Sequence, residues 1–396
     1  MRVLAVLGTR PEAIKMAPVI QELRKHPQAF SVRVCVTAQH REMLDQALGI
    51  FDIAPDLDLD LMEPDQALAE LTGRVLARIT ATLLAEKPDL VLVQGDTTSV
   101  MAAALAAFYQ RVPVGHVEAG LRTRNPYSPF PEEINRRITA VLATCHFAPT
   151  ETARAALLRE GVPDERIWVT GNTVIDALQA TLRRPAPPRV RQLLQDLGVQ
   201  RPDGSAGARK LILVTAHRRE NLPSLEQICA GLRSLVERNE DVVILYPVHL
   251  NPNVHAPVHR ALDGVDRLVL TEPFDYVSLA HCMRAAYLVL TDSGGIQEEA
   301  PALGKPVLVM RAETERPEAV DAGAVLVIGT STEAIVGQAE RLLRDQQHYG
   351  SMSRAVSPYG DGHAAERIVK AILEQCGAAC CAQNAAARKG GSGSNG

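Results

Sequence analysis

Aromatic residues are scarce, with one Trp, six Phe and seven Tyr in 396 residues. So little ring surface offers no platform for stacking bases. Neither charge sign dominates: 42 Lys and Arg stand against 46 Asp and Glu, a formal charge of -4. The basic footprint of a nucleic-acid protein is therefore missing. No apolar run approaches the roughly 18 residues that a membrane-spanning helix needs. The short apolar N-terminal stretch is broken by Gly8, Thr9 and Arg10, which is not a signal-peptide pattern. Seven cysteines are an odd number, and Cys35, Cys145, Cys229 and Cys282 are scattered, as expected of reduced thiols in a cytoplasm. Cys376, Cys380 and Cys381 have no paired Cys-x-x-Cys, His or Asp to make a metal site. There is no Walker A sequence and no G-x-S-x-G elbow. His255 and His259 lack the Glu of H-E-x-x-H, and Pro257 between them should disturb a helix. No metal is expected.

What is present is alternation. Short runs rich in Val, Leu and Ile, expected as strands, fall at 2–7, 32–36, 90–93, 112–116, 145–147 and 166–169. A second set falls at 211–214, 242–246, 267–270, 287–290, 306–310 and 324–328. Helical periodicity separates them, as at Leu68, Leu71, Val75 and Ile79, and at Leu225, Ile228, Leu232 and Leu235. Continuously apolar strands belong in parallel sheets covered on both faces. The expected fold is α/β, two Rossmann-like doubly wound domains facing a deep cleft. The expected division is an N-terminal domain 1–180, a C-terminal domain 190–360, a helix 361–377 and a disordered tail 378–396. The prolines from Pro185 to Pro188 mark the connector. The G-x-G-x-x-G formed by Gly391 to Gly396 has no strand before it and is spurious.

Two distant stretches share one design: an apolar strand, a small-residue turn, then a helix start. One is Gly8-Thr9-Arg10-Pro11-Glu12, the other Asp292-Ser293-Gly294-Gly295. Glycine admits close approach of a ligand, and the unpaired N–H groups at a helix start bind phosphate. Other polar groups follow predicted strands: Gln94-Gly95-Asp96, His116-Val117-Glu118, Thr215-Ala216-His217, and a helix opening at Pro131 that carries Glu132 and Arg136. One site could thus collect Asp96, Glu118 and Glu132 with Arg10, Lys15, Arg136 and His217. Cations suit a diphosphate, and carboxylates suit proton transfer. Plainer readings exist for each. Glu132 and Arg136 could be a surface i,i+4 pair, Asp96 a helix cap, His217 a structural histidine and Gly294-Gly295 a tight turn.

The blocks Gly8-Thr9-Arg10-Pro11-Glu12-Ala13-Ile14-Lys15, Gly95-Asp96-Thr97-Thr98 and His116-Val117-Glu118-Ala119-Gly120-Leu121-Arg122 closely resemble the non-hydrolysing UDP-N-acetylglucosamine 2-epimerases of bacteria. So do Thr37 to Leu44, Thr215 to Asn221, Tyr246 to His249, Asp292 to Glu299 and Thr314 to Glu318. The likeness covers residues 1 to about 375 in order. It implies a GT-B-like fold, a homodimer, no cofactor, and interconversion of UDP-GlcNAc and UDP-ManNAc by elimination of UDP and its re-addition. By motif, Asp96, Glu118 and Glu132 transfer protons, while Lys15, Arg136 and His217 serve the leaving group. Arg10, Ser293, Gly294, Gly295, Glu299 and Arg316 contact UDP, and the backbone near Phe274 reads uracil. Bacterial members can hold a second, regulatory UDP-GlcNAc, whose positions match Gln39, His40, Gln66, Glu132, Arg218 and His249. Asp65 and Glu42 replace an arginine and a glutamine of some members, and two anionic groups beside a diphosphate weaken that site. Rival readings are a hydrolysing epimerase, a GT-B glycosyltransferase, and a sensor that binds a UDP-sugar without turnover.

Overall fold

Apolar strands of this kind form sheets buried on both faces, and a computed structural model shows two of them. It describes residues 1–37, 41–61, 66–314 and 316–376. The chain divides into two compact units, Met1–Ala177 with the segment from Tyr359 onward, and Leu178–Pro358. The division falls inside a helix, Thr173–Arg183.

In the first unit β1 (Arg2–Leu7), β2 (Ser31–Val36), β3 (Leu57–Asp58), β4 (Leu90–Gln94), β5 (Val114–Val117), β6 (Cys145–Ala148) and β7 (Ile167–Val169) form one sheet. Its order is β3-β2-β1-β4-β5-β6-β7, and every pair is parallel. Six of these strands match expectation. The edge strand β3 is an addition, too short at two residues to leave a pattern. Helix Leu68–Glu86 turns Leu71, Val75, Ile79 and Leu83 into the core against Val91, Val93 and the alanines of helix Thr98–Tyr109. The same unit holds the late helix Ala364–Ala371. Asp176 anchors its start by accepting the Ala364 N–H at 3.2 Å and the Ala365 N–H at 2.8 Å.

In the second unit β8 (Lys210–Thr215), β9 (Val242–Pro247), β10 (Leu268–Thr271), β11 (Leu288–Thr291), β12 (Val307–Val309) and β13 (Val325–Val327) pair in parallel, in the order β10-β9-β8-β11-β12-β13. Ile228, Leu232 and Leu235 of helix Leu225–Arg238 are fully buried against it. Helix Pro252–Leu262 runs through Pro257, against expectation. Proline deletes one N–H but does not end this helix, which is already seated by Val254, Val258 and Leu262.

In each sheet the strand order reverses once, between β1 and β4 and between β8 and β11. Loops leaving two such strands go to opposite faces of the sheet, so their carboxyl ends form a crevice lined by turns. Those turns hold Gly8, Asp96, His217 and Asp292.

Candidate active site

The first unit's turns are built on a buried carboxylate. Glu12, 2% exposed, takes the Gly8 N–H at 2.6 Å and the Thr9 hydroxyl at 3.0 Å. The Thr97 hydroxyl and the Asp96 carboxylate also act on it, which ties the turn after β1 to the turn after β4. Burial pushes this carboxyl up to about 7, against the pull of its hydrogen-bond donors. Gly8 itself is explained by packing. A Cβ there would stand 2.9 Å from Thr37 Oγ1 and 3.1 Å from Ser99 Cβ.

Glu118 follows β5 with φ of +62°, an uncommon conformation for a residue with a side chain. Both its oxygens receive Lys15 Nζ at 2.8 Å, and the buried Gln94 amide donates to it as well. Asp96 pairs with Arg136, and the Asn135 amide holds the Asp96 carbonyl at 2.9 Å. His116 is fully buried, which lowers it to about 4, so it is neutral at pH 7. Its Nε2–H donates to the Gly95 carbonyl at 2.7 Å and fixes the bend before Asp96.

The plainer readings of these residues fail on geometry. Thr97, not Asp96, caps helix Thr98–Tyr109, accepting the Val100 N–H. Arg136 turns to Asp96 and, at 3.9 Å, to Glu133 rather than to Glu132. Glu132 begins its helix, with Pro131 one position earlier than expected, at the N-cap. Its Oε2 is buried and has no hydrogen-bond partner among the described residues. Arg10 is the first residue of helix Arg10–Arg24 and is half-buried.

In the second unit one carboxylate organises the turn after β8. Asp292 is fully buried, and its Oδ2 accepts the N–H groups of His217 and Arg218 at 2.8 Å each and the Asn221 amide at 3.1 Å. The Asn221 amide also donates to Met310 O, and Tyr246 Oη donates to Ala216 O at 2.8 Å. The ends of β8, β9, β11 and β12 are thereby pinned together. The His217 ring stacks on His249 with centroids 5.5 Å apart, and burial lowers its affinity for a proton.

Helix Gly294–Ala302 starts after Ser293, whose side chain makes no capping bond. A Cβ on Gly294 would lie 3.7 Å from an Arg218 guanidinium nitrogen and 3.9 Å from one of Arg316. Two guanidiniums therefore flank a helix start, where N–H groups and the helix dipole already favour an anion. Gly295 is exposed, with open space beside its Cα. Arg316 is held by the buried Glu298, and Glu299 accepts the Tyr276 hydroxyl at 2.6 Å. Phe274 is half-buried just before helix Tyr276–Ala285. Gln66 is half-buried ahead of helix Leu68–Glu86, whereas Gln39, His40 and Asp65 lie outside the described residues. So do the tail from 378 and Glu315, and the Glu42 side chain is not described either.

Glu12, Gln94, Asn221, Tyr276 and Asp292 are contributors that the sequence reading gave no role. Four of them, Glu12, Gln94, Asn221 and Asp292, belong to the motifs singled out above, and only Tyr276 stands apart from any of them.

The family described as UDP-N-acetylglucosamine 2-epimerase matches residues 21–373. The chain belongs to that family. It is 57% identical over 373 residues to the UDP-N-acetylglucosamine 2-epimerase of Salmonella typhimurium, covering 94% of this chain and 98% of that one. To the Escherichia coli K12 enzyme of the same name it is 55% identical, with the same coverage. The crystal structure of the Neisseria meningitidis UDP-GlcNAc 2-epimerase bound to UDP-GlcNAc superposes with a TM-score of 0.85. That protein shares 48% identity, over 94% of this chain and all of the other. The α/β fold of two parallel sheets is that of the epimerase family. Among the described residues there is no group of His, Cys, Asp and Glu fit to hold a metal ion, and no helix is long and apolar enough to cross a membrane.

Proposed function

We propose that this chain interconverts UDP-GlcNAc and UDP-ManNAc by inverting carbon 2 of the sugar, without hydrolysis. The observation that carries the reading is the division of labour between the units. One concentrates carboxylates beside paired cations, and the other sets two guanidiniums around a helix start. In this reading Ser293, Gly294, Gly295 and Arg316 hold the diphosphate, Glu299 the ribose and the backbone at Phe274 the uracil. Arg10, Lys15, Arg136 and His217 take up the charge that develops as UDP departs.

The hydrogen on carbon 2 is a poor acid, so the bond from carbon 1 to the phosphate oxygen breaks ahead of proton removal. The transition state then resembles an oxocarbenium ion, stabilised by carboxylates near the ring and by cations on the diphosphate. A carboxylate takes the carbon 2 proton and leaves 2-acetamidoglucal. Another carboxyl returns a proton to the opposite face while UDP adds back to carbon 1. Glu118, held by Lys15 and Gln94, and Glu132, with one oxygen unpartnered, sit in different surroundings. Such inequivalence suits a base on one face and an acid on the other. The product would supply ManNAc units to a surface polysaccharide. Gln66, Glu132, Arg218 and His249 are the described part of the proposed regulatory contact, and Gln39 and His40, outside the described residues, complete it.

A homodimer belongs to the same reading. Helix Glu132–Leu142 buries Glu133, Asn135, Arg136 and Thr139 but exposes Ile134, Ile138 and Val141 at spacings of four and three. Its neighbour, helix Thr98–Tyr109, exposes Phe108 and Tyr109. Apolar residues grouped this way on a surface support a protein partner.

The deciding experiment is proton NMR with UDP-GlcNAc in deuterated water. UDP-ManNAc should grow in, with deuterium entering carbon 2 of both sugars. Free ManNAc with UDP would mean hydrolysis, and an unchanged spectrum would mean binding without turnover. A binding check accompanies it. Ser293→Ala should weaken UDP by about tenfold, the worth of one hydrogen bond to a charged group, by calorimetry. An unchanged affinity would contradict the assigned phosphate site.

A further inference from the structure

The Asp292 carboxylate has two oxygens in different circumstances. Oδ2 is saturated, holding the His217 and Arg218 N–H groups and the Asn221 amide. Oδ1 is buried without a hydrogen-bond partner among the described residues, and it lies 3.5 Å from His217 Nδ1. A loop clamp needs only the first oxygen. The second points to a task directed at the imidazole.

We propose that Asp292 is the positioning residue of His217, fixing the ring as its Nδ1–H tautomer and leaving Nε2 as the acceptor. The inference rests on the reading above, in which His217 serves the departing diphosphate. The chemistry of the two rims allows little else. An ionised carboxylate has only acceptors, and a neutral imidazole has one donor and one acceptor. The opposite tautomer would set the Nδ1 lone pair against an Asp292 oxygen that water does not reach, although the imidazole itself is 38% exposed. The other ionisable groups beside the ring are His249, stacked on it, and Arg218, whose N–H is bound to the other Asp292 oxygen. Arg218 has no acceptor, and the His249 ring lies face to face with the imidazole rather than in its plane, out of line with the Nδ1 proton. A carboxylate behind a histidine sets both tautomer and orientation in many active sites.

The test is the nitrogen-15 tautomer pattern of His217 in the full chain, assigned by its loss in His217→Asn. Wild type should show Nδ1–H. In Asp292→Asn the amide oxygen can keep the two backbone donors while its N–H faces the ring, so the pattern should switch to Nε2–H. Turnover should fall on the order of 10²-fold while the KM for UDP-GlcNAc stays near wild type. Wild type showing Nε2–H, or the same tautomer in both proteins, would overturn the proposal. Should the variant fail to fold, the wild-type pattern alone decides it. Absence of epimerisation by wild type would remove the proposed function instead, and the tautomer would still report on Asp292.

Discussion

Glu118 spends conformational energy where a bland residue would not. A left-handed backbone costs a residue with a side chain about 1–2 kcal/mol, and such strain concentrates at sites of chemistry. The reward is a carboxylate fixed by Lys15 and Gln94 at the end of β5. Asp96 is held with equal care through its own carbonyl and through Arg136. Asp96→Asn keeps that shape and removes the proton acceptor, so turnover should fall by about 10²–10⁴-fold while UDP binding survives. Retained turnover would exclude Asp96 from the proton transfers. Glu12 carries a different signature. Its carboxyl is raised from 4.5 to about 7 in the fold, so the folded state binds the proton more tightly than the unfolded one. Its contribution to stability is therefore complete below 4.5 and lost as pH rises through 7. Melting temperatures measured across that window should decline less steeply in Glu12→Gln than in wild type. Parallel slopes would show that Glu12 does not titrate there.

At the scale of elements, continuous apolar runs gave away twelve strands, because burial on both faces leaves nothing for solvent to dictate. β3 escaped, since Leu57 and Asp58 alone carry no period. The candidate residues were legible because function gathers after strands, and the strands were legible. Roles that depend on which strands are neighbours were not. Asp292 can clamp His217 only because β11 lies beside β8, with Thr291 opposite Thr215. Gly8 is the instructive miss. As a phosphate-turn glycine it was expected to make room for a ligand, yet the room is taken by Thr37 and Ser99. Thr37 is adjacent in the sheet but 29 positions away in the chain, and no local pattern announces it. Gly8→Ala should accordingly lower stability by about 1–3 kcal/mol in urea unfolding, the usual cost of overpacking. Unaltered stability would return Gly8 to the ligand.

For the whole molecule, the reversed amphipathy of helix Glu132–Leu142 ties assembly to chemistry. Its polar face positions Arg136 toward Asp96, and its apolar face is the surface proposed to meet a second copy. Ile138→Glu with Val141→Glu should shift the protein to monomer in light scattering and reduce turnover with it. A dimer that persists would place the interface elsewhere. The anchoring of helix Ala364–Ala371 by Asp176 has a consequence of another kind. The second unit is inserted into the first, whose last piece is made about 180 residues after the rest. On the ribosome, where domains fold in order of completion, the second unit can finish first although it begins later. Until Tyr359 and the following helix emerge, the first unit lacks the segment that Asp176 anchors, and its fold stays unclosed on the nascent chain.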